Sequence, residues 1–158
     1  MIELKGDFRV EKWERMEDFS SFYPLLCKFL AYVYGSAEKG LKIYEDRYGA
    51  ISYYKNYRAT PNSHLLVLKG PDGSLGGFLY GRKRKVGTYI YDIYVEPALR
   101  GRGFGRAMVL ALRELSPLPF RADVCSQSLK AFKRWGFKEL KSYREEGVEW
   151  HLVEALTL

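Results

Sequence analysis

A mixed α/β sheet is the fold class this sequence predicts, and three observations predict it. Apolar residues recur at helical spacing through roughly the first third of the chain. The period then falls to two over a pair of runs joined by Pro71-Asp72-Gly73-Ser74, a hairpin signal. Beyond these, a continuous apolar run leads through a glycine-dense loop into another helical stripe.

The elements follow in order. Asp7 to Trp13 is short and mixed, an edge strand. Phe22, Leu25, Leu26, Phe29, Leu30 and Val33 form a helical stripe that Gly35 stops. Ala37, Leu41, Tyr44 and Tyr48 predict a second helix, weakened by Gly40, and Ile51, Tyr54 and Tyr57 a third before Pro61. His64 to Lys69 and Leu75 to Arg84 are the hairpin strands, and Thr88 to Val95 the next strand. Phe104 to Leu115 reads as a helix stopped at Ser116-Pro117. Phe120 to Cys125 reads as a strand, and Ser126 to Trp135 as a helix capped by Ser126 and closed by Gly136. Phe137 to Tyr143 and Val148 to Leu156 make a last hairpin.

Composition narrows the function classes. The chain has 158 residues, which fits one domain spanning 1–158, and its 47% hydrophobic and 28% charged residues are ordinary for a globular protein. Met1-Ile2-Glu3-Leu4-Lys5 has no signal-peptide layout, and the Leu25–Tyr34 run, broken by Lys28, is too short to span a bilayer. Cys27 and Cys125 make no disulfide framework, so the expected compartment is the cytoplasm. With His64 and His151 alone, a zinc site lacks ligands, and no metal is expected. Twenty-six basic and nineteen acidic side chains leave a net charge of +7, which suits an anionic ligand as well as RNA.

The informative string is Val95 to Arg106, with Arg100, Gly101, Arg102, Gly103, Phe104, Gly105 and Arg106 at its centre. A glycine loop between a buried strand and a helix N-terminus lets backbone N–H groups converge on an anion. It is not a Walker loop, which needs Gly-Lys-Ser/Thr after four residues, and Arg106 stands where a dinucleotide fingerprint needs its third glycine. It does match Arg/Gln-x-x-Gly-x-Gly/Ala through Arg100, Gly103 and Gly105, and so resembles the acyl-CoA signature of the GCN5-related N-acetyltransferase (GNAT) superfamily. Ser128 to Phe137, a helix ending in Gly136-Phe137, is similar to a second feature of that family.

The resemblance implies the GNAT fold: a mostly antiparallel sheet flanked by helices, splayed between the strands at 88–95 and 120–125. It implies that Arg100 to Arg106 bind the CoA pyrophosphate, that Ile93, Tyr94 and Val95 take the pantetheine arm, and that the Val95 N–H faces the thioester oxygen. It also implies acetyl-CoA as cosubstrate and transfer to a primary amine by direct attack in a ternary complex. Phe132 occupies the position of the usual tyrosine acid and would border the CoA. That leaves Tyr94, Tyr143 or water as the proton donor.

Asp92 is the one carboxylate inside its strand and reads either as the base that takes the amine proton or as a structural carboxylate. Lys130, Lys133 and Arg134 read as partners of a CoA phosphate or as a solvated face, and Arg82 to Lys85 as a hairpin tip that touches nucleic acid or is simply solvated. The aromatic stripe Phe22, Phe29, Tyr32, Tyr44, Tyr48 and Tyr54 reads mostly as core, and the resemblance implies that some of its tyrosines line the acceptor site. His64 and His151 carry no partner spacing and read as structural. A non-catalytic acyl-CoA-binding module is the rival function, and a small basic RNA-binding domain a more distant one. The acceptor amine and a homodimer stay open.

Overall fold

The computed structural model describes residues 2–158; Met1, the first residue of the opening stretch read for a signal, lies outside them. Eight strands form one sheet in the order β1-β2-β3-β4-β5-β6-β8-β7. These are β1 (Ile2–Glu3), β2 (Arg9–Trp13), β3 (Ser63–Lys69), β4 (Leu75–Lys83), β5 (Thr88–Val95), β6 (Phe120–Cys125), β7 (Lys138–Glu145) and β8 (Val148–Ala155). Neighbours are antiparallel except β5 and β6, which run parallel. The helices are α1 (Phe19–Tyr34), α2 (Ala37–Tyr48), α3 (Ala50–Lys55), α4 (Phe104–Arg113) and α5 (Ser126–Arg134).

The sheet carries a core on each face. On β3, Leu66 and Leu68 pack with Met108 and Leu112 of α4 and Phe132 of α5. Leu65 and Val67, alternating with them, pack with Phe22, Leu26 and Leu30 of α1. The continuous apolar run of β3 is therefore a strand buried on both sides.

The sequence-derived elements are present with shifted ends. The strand expected over Asp7–Trp13 begins at Arg9, as β2, because Lys5–Asp7 form a 3₁₀ turn with Gly6 at φ 73°; it is not the sheet edge, since β1 pairs with it on its outer side. α4 ends at Arg113, where Leu115 donates instead to the Leu112 carbonyl in a tighter last turn. Ser126 is not a cap: it is the first residue of α5, the N-cap position is Cys125, and the Ser126 hydroxyl instead bonds His151 Nε2 on β8 at 2.9 Å. His151 also bonds the Glu139 carboxylate through its other nitrogen.

Two features of β5 shape the site. Tyr80 pairs with Asp92 but Gly81 pairs with Ile90, so Tyr91 is an extra residue, a β-bulge. Strict alternation would put Ile90, Asp92 and Tyr94 on one face. With the bulge, Ile90, Ile93 and Val95 pack on the α4 side, whereas Tyr94 packs on the α1 side. The second feature is that β5 and β6 pair only at Thr88↔Phe120, Tyr89↔Arg121 and Ile90↔Ala122. From Tyr91 onward they diverge into a wedge, as the resemblance implied.

Gly40, which weakened the second helix in sequence terms, has a packing reason. A Cβ there would lie 2.6 Å from Leu30 Cβ and 3.1 Å from the Leu30 carbonyl oxygen, so glycine lets α2 close on α1. Gly40→Val is expected to destabilise the fold by about 1–3 kcal/mol, the usual cost of overpacking. Urea unfolding should read this as a lower midpoint at unchanged slope.

Candidate active site

The wedge between β5 and β6 opens into two concave regions. A groove of about 540 Å³ is lined by Ile93, Tyr94 and Val95, by every residue of the Arg100–Arg106 loop except Arg102, by Lys130 and Arg134 of α5, and by Trp135 at the end of that helix. A cavity of about 600 Å³ lies on the α1–α3 side, lined by Asp92, Asp123 and a wall of tyrosines. Tyr32, Ile93, Ser128 and Phe132 line both, so the two meet there.

The groove is built by backbone. Glu96 N donates to Gly76 O at 2.8 Å, and the antiparallel alternation that continues through Tyr94 and Asp92 turns the amides of Ile93 and Val95 away from β4, into the wedge. The Val95 carbonyl, facing the same way, accepts from Arg100 Nε at 2.8 Å. After a 3₁₀ turn at Pro97–Leu99, the chain passes Gly101 at φ 77° and Gly103 at φ 83°, left-handed conformations that favour glycine. Gly103 is the N-cap of α4, and the first helical bond runs from Ala107 N to its carbonyl. The amides of Phe104, Gly105 and Arg106 are thus outside the intrahelical ladder and carry the positive end of the helix dipole.

Gly105 answers a different need. A Cβ there would sit 2.8 Å from Trp135, whose indole closes over the loop.

The charged side chains divide. Arg106, Lys130 and Arg134 are exposed along the groove, and among the described residues none has a carboxylate partner. Lys133 instead pairs with Glu139. The Arg102 guanidinium lies over the rings of Phe8 and Phe104, at 5.2 and 5.0 Å, leaving its backbone on the loop. Arg100 lies 4.6 Å over Tyr32 and 5.3 Å over Tyr94, tying α1 to the end of β5.

The cavity is built around two aspartates, Asp92 and Asp123. Asp92 is buried and accepts a hydrogen bond from Tyr44 at 2.6 Å on one oxygen and from Tyr54 on the other. Burial pushes its carboxyl above the ordinary carboxylate range, against the two hydroxyls, whose bonds favour the charged form. The same burial, with the Asp92 charge adding to it, holds Tyr44 and Tyr54 well above the usual phenol range, so both stay protonated donors. Asp123 likewise accepts from Tyr89 and from Tyr143, the latter at 2.7 Å. Arg82 and Arg84 are exposed, as the hairpin-tip reading expects, and also line the cavity; Arg84 sits over Tyr89 at 4.7 Å and bonds the Tyr91 hydroxyl.

At the junction, Tyr32 and Ser128 share a hydrogen bond of 3.2 Å, and Cys125 Sγ lies 3.6 Å from the Ser128 hydroxyl. Phe132 is buried against Trp135 and Phe137. Tyr94 lines the groove alone, and Tyr143 the cavity alone. Ser128 and Asp123 were not read as site residues from the sequence, and only the four-residue spacing of Ser128 and Phe132 on one helix face signalled either. Tyr32 belongs to the aromatic stripe from which the resemblance drew tyrosines for the acceptor site, and with Tyr44, Tyr48 and Tyr54 it lines the cavity.

The family model for the acetyltransferase (GNAT) family matches residues 18–122, most of the chain, and the protein belongs to this family. It is an N-acetyltransferase by that membership. The fold is shared with PaiA N-acetyltransferase from Thermoplasma acidophilum, solved in complex with coenzyme A (15% identity, TM-score 0.67, 94% of this chain and 99% of that one). It is shared also with Escherichia coli ElaA (17% identity, TM-score 0.63, 92% and 98% covered). A third is an acyl-CoA N-acyltransferase from Pseudomonas aeruginosa (16% identity, TM-score 0.61, 94% and 99% covered). No curated protein sequence matches the chain.

The raised Asp92 carboxyl has a consequence for stability. Below its ordinary value of 3.8 it is neutral in both the folded and the unfolded chain. As pH rises the unfolded chain ionises first, and the contribution is lost until the folded carboxyl ionises too. Relative to Asp92→Asn, the wild type should therefore lose stability from about pH 4 upward. Urea midpoints of the two proteins across this range check it.

Proposed function

We propose that the protein transfers an acetyl group from acetyl-CoA to a primary amine by direct attack, with both substrates held at once. One observation carries this reading: a phosphate-type cradle and a carboxylate-bearing cavity approach the same wedge from opposite sides and share Tyr32, Ile93, Ser128 and Phe132. An acyl carrier in the groove and an amine in the cavity would meet there, and that proximity removes much of the entropic barrier of a two-substrate reaction.

On this reading the amides from Gly101 to Arg106 hold the pyrophosphate, and Arg106, Lys130 and Arg134 add charge-assisted contacts to phosphate oxygens. The wedge-facing groups of Ile93 and Val95 take the pantetheine arm. The Val95 N–H donates to the thioester oxygen and stabilises the charge that develops there. Asp92 takes the proton of the attacking amine, held in place by Tyr44 and Tyr54, each of which leaves a carboxylate lone pair free. The N–C bond forms as the C–S bond breaks, and the sulfur departs needing a proton that Phe132 does not carry.

Titration calorimetry and thermal melting test the binding half. Acetyl-CoA at a hundred times its dissociation constant should stabilise the protein by about 2.7 kcal/mol. Gly103→Val, strained at φ 83°, should abolish the effect. Absence of any heat or melting shift in the wild type overturns the reading.

The chemical half is read by thiol release across an amine panel. Asp92→Asn should lower kcat by about 10²–10⁴-fold, the usual worth of a general base, and remove the acidic limb of the pH–rate profile. That limb should lie above the ordinary carboxylate range, because burial raises the Asp92 carboxyl. CoA binding with no thiol release on any amine would instead mark a non-catalytic acyl-CoA-binding module.

A further inference from the structure

We propose that Tyr32, acting through the Ser128 hydroxyl, donates the proton to the departing CoA thiolate; this rests on the transferase function proposed for the same site. The position on α5 that would carry such a donor is Phe132, which has no proton to give. Of the residues that line both groove and cavity, Tyr32, Ile93, Ser128 and Phe132, only Tyr32 and Ser128 carry hydroxyls, and these bond each other at 3.2 Å.

Ser128 stands four residues before Phe132 on α5, one turn along the same helix face, so its hydroxyl enters the region that a tyrosine at 132 would serve.

Other tyrosines near the site are committed elsewhere. Tyr44 and Tyr54 donate to Asp92, and Tyr89 and Tyr143 to Asp123. Tyr53 and Tyr80 bond each other. Tyr94 lines the groove but not the cavity, and its ring is packed against Phe29 and Tyr32.

Tyr32 is also held in place. Arg100, the first residue of the loop motif, lies 4.6 Å over its ring, and Gln127 Nε2 donates to its backbone carbonyl at 3.1 Å. Together with the Tyr32–Ser128 bond, these contacts pin the end of α1 to the start of α5 across the mouth of the wedge.

In the step itself the C–S bond breaks and its electron pair stays on sulfur. Ser128 Oγ gives its proton to sulfur and takes the proton of the Tyr32 hydroxyl. The resulting tyrosinate recovers a proton from water.

The experiment compares Tyr32→Phe, Ser128→Ala and the double variant with the wild type, using acetyl-CoA and an amine that the wild type acetylates. Each single variant should lose kcat by about tenfold or more while the KM for acetyl-CoA and the calorimetric Kd for CoA stay unchanged. The double variant should lose no more than the singles, because both groups serve one relay. Phe132→Tyr in the Tyr32→Phe background should restore kcat, which a merely structural role for Tyr32 would not allow.

Wild-type kcat in Tyr32→Phe, additive losses in the double variant, losses carried by KM and Kd, or no recovery with Phe132→Tyr overturns the proposal. If the wild type itself releases no thiol with any amine, it is the transferase reading that has failed.

Discussion

The extra residue at Tyr91 in β5 is the constraint on which the rest of the site depends. Without it, Asp92 and Tyr94 would face α4 with Ile90, and the only carboxylate in the strand would be buried among aliphatic side chains. With it, Asp92 turns to the tyrosines of α2 and α3, and Ile93 and Val95 take over the apolar face. The divergence of β6 begins at the same point. A bulge bends and twists its strand, and here the paired and unpaired halves of β5 part at that residue. The unpaired half keeps its β4 ladder on one edge and offers amides to the wedge on the other.

Around that wedge, glycine is used for unlike reasons. Gly101 and Gly103 supply left-handed backbone in open surroundings, where any side chain would fit in space but not in conformation. Gly105 has ordinary backbone and is excluded from carrying a side chain by Trp135. Gly40, far off on α2, lets that helix close on α1, which brings Tyr44 within reach of Asp92. The acid in the cavity thus depends on a helix–helix approach set by one missing methyl group.

Asp92 and Asp123, the two aspartates of the cavity, share a design. Each accepts hydroxyls from two tyrosines, and neither has a cation partner among the described residues. Burial alone drives a carboxyl toward the neutral form, whereas donated hydrogen bonds favour the anion. For Asp92 the balance leaves the carboxyl raised but surrounded by donors, an environment suited to a group that must gain and lose a proton. Arg100 links this cavity to the groove, since its guanidinium covers Tyr32 and Tyr94 while its Nε holds the end of β5.

Much of the molecule was legible in the sequence by itself. The helical stripe of α1, the hairpin at Pro71–Ser74, the apolar run of β5 and the glycine loop entering α4 are local patterns, read from residues adjacent in the chain; β5 itself alternates buried and half-buried residues. The loop motif and the Gly136-Phe137 helix end carried the family resemblance for the same reason. The cap of α5 was misread because the Ser126 hydroxyl is taken by His151, a partner 25 residues away on another strand. The bulge at Tyr91 was invisible, because it is a mismatch between two strands and not a property of either. The tyrosine clamps on Asp92 join residues 38 and 48 positions apart, and the Tyr32–Ser128 bond spans 96. Local propensity and motif chemistry thus determined the elements and the cradle. Side-chain facing, proton partners and the meeting of the two cavities were decided by the tertiary structure, because each depends on distances between segments that no local pattern encodes.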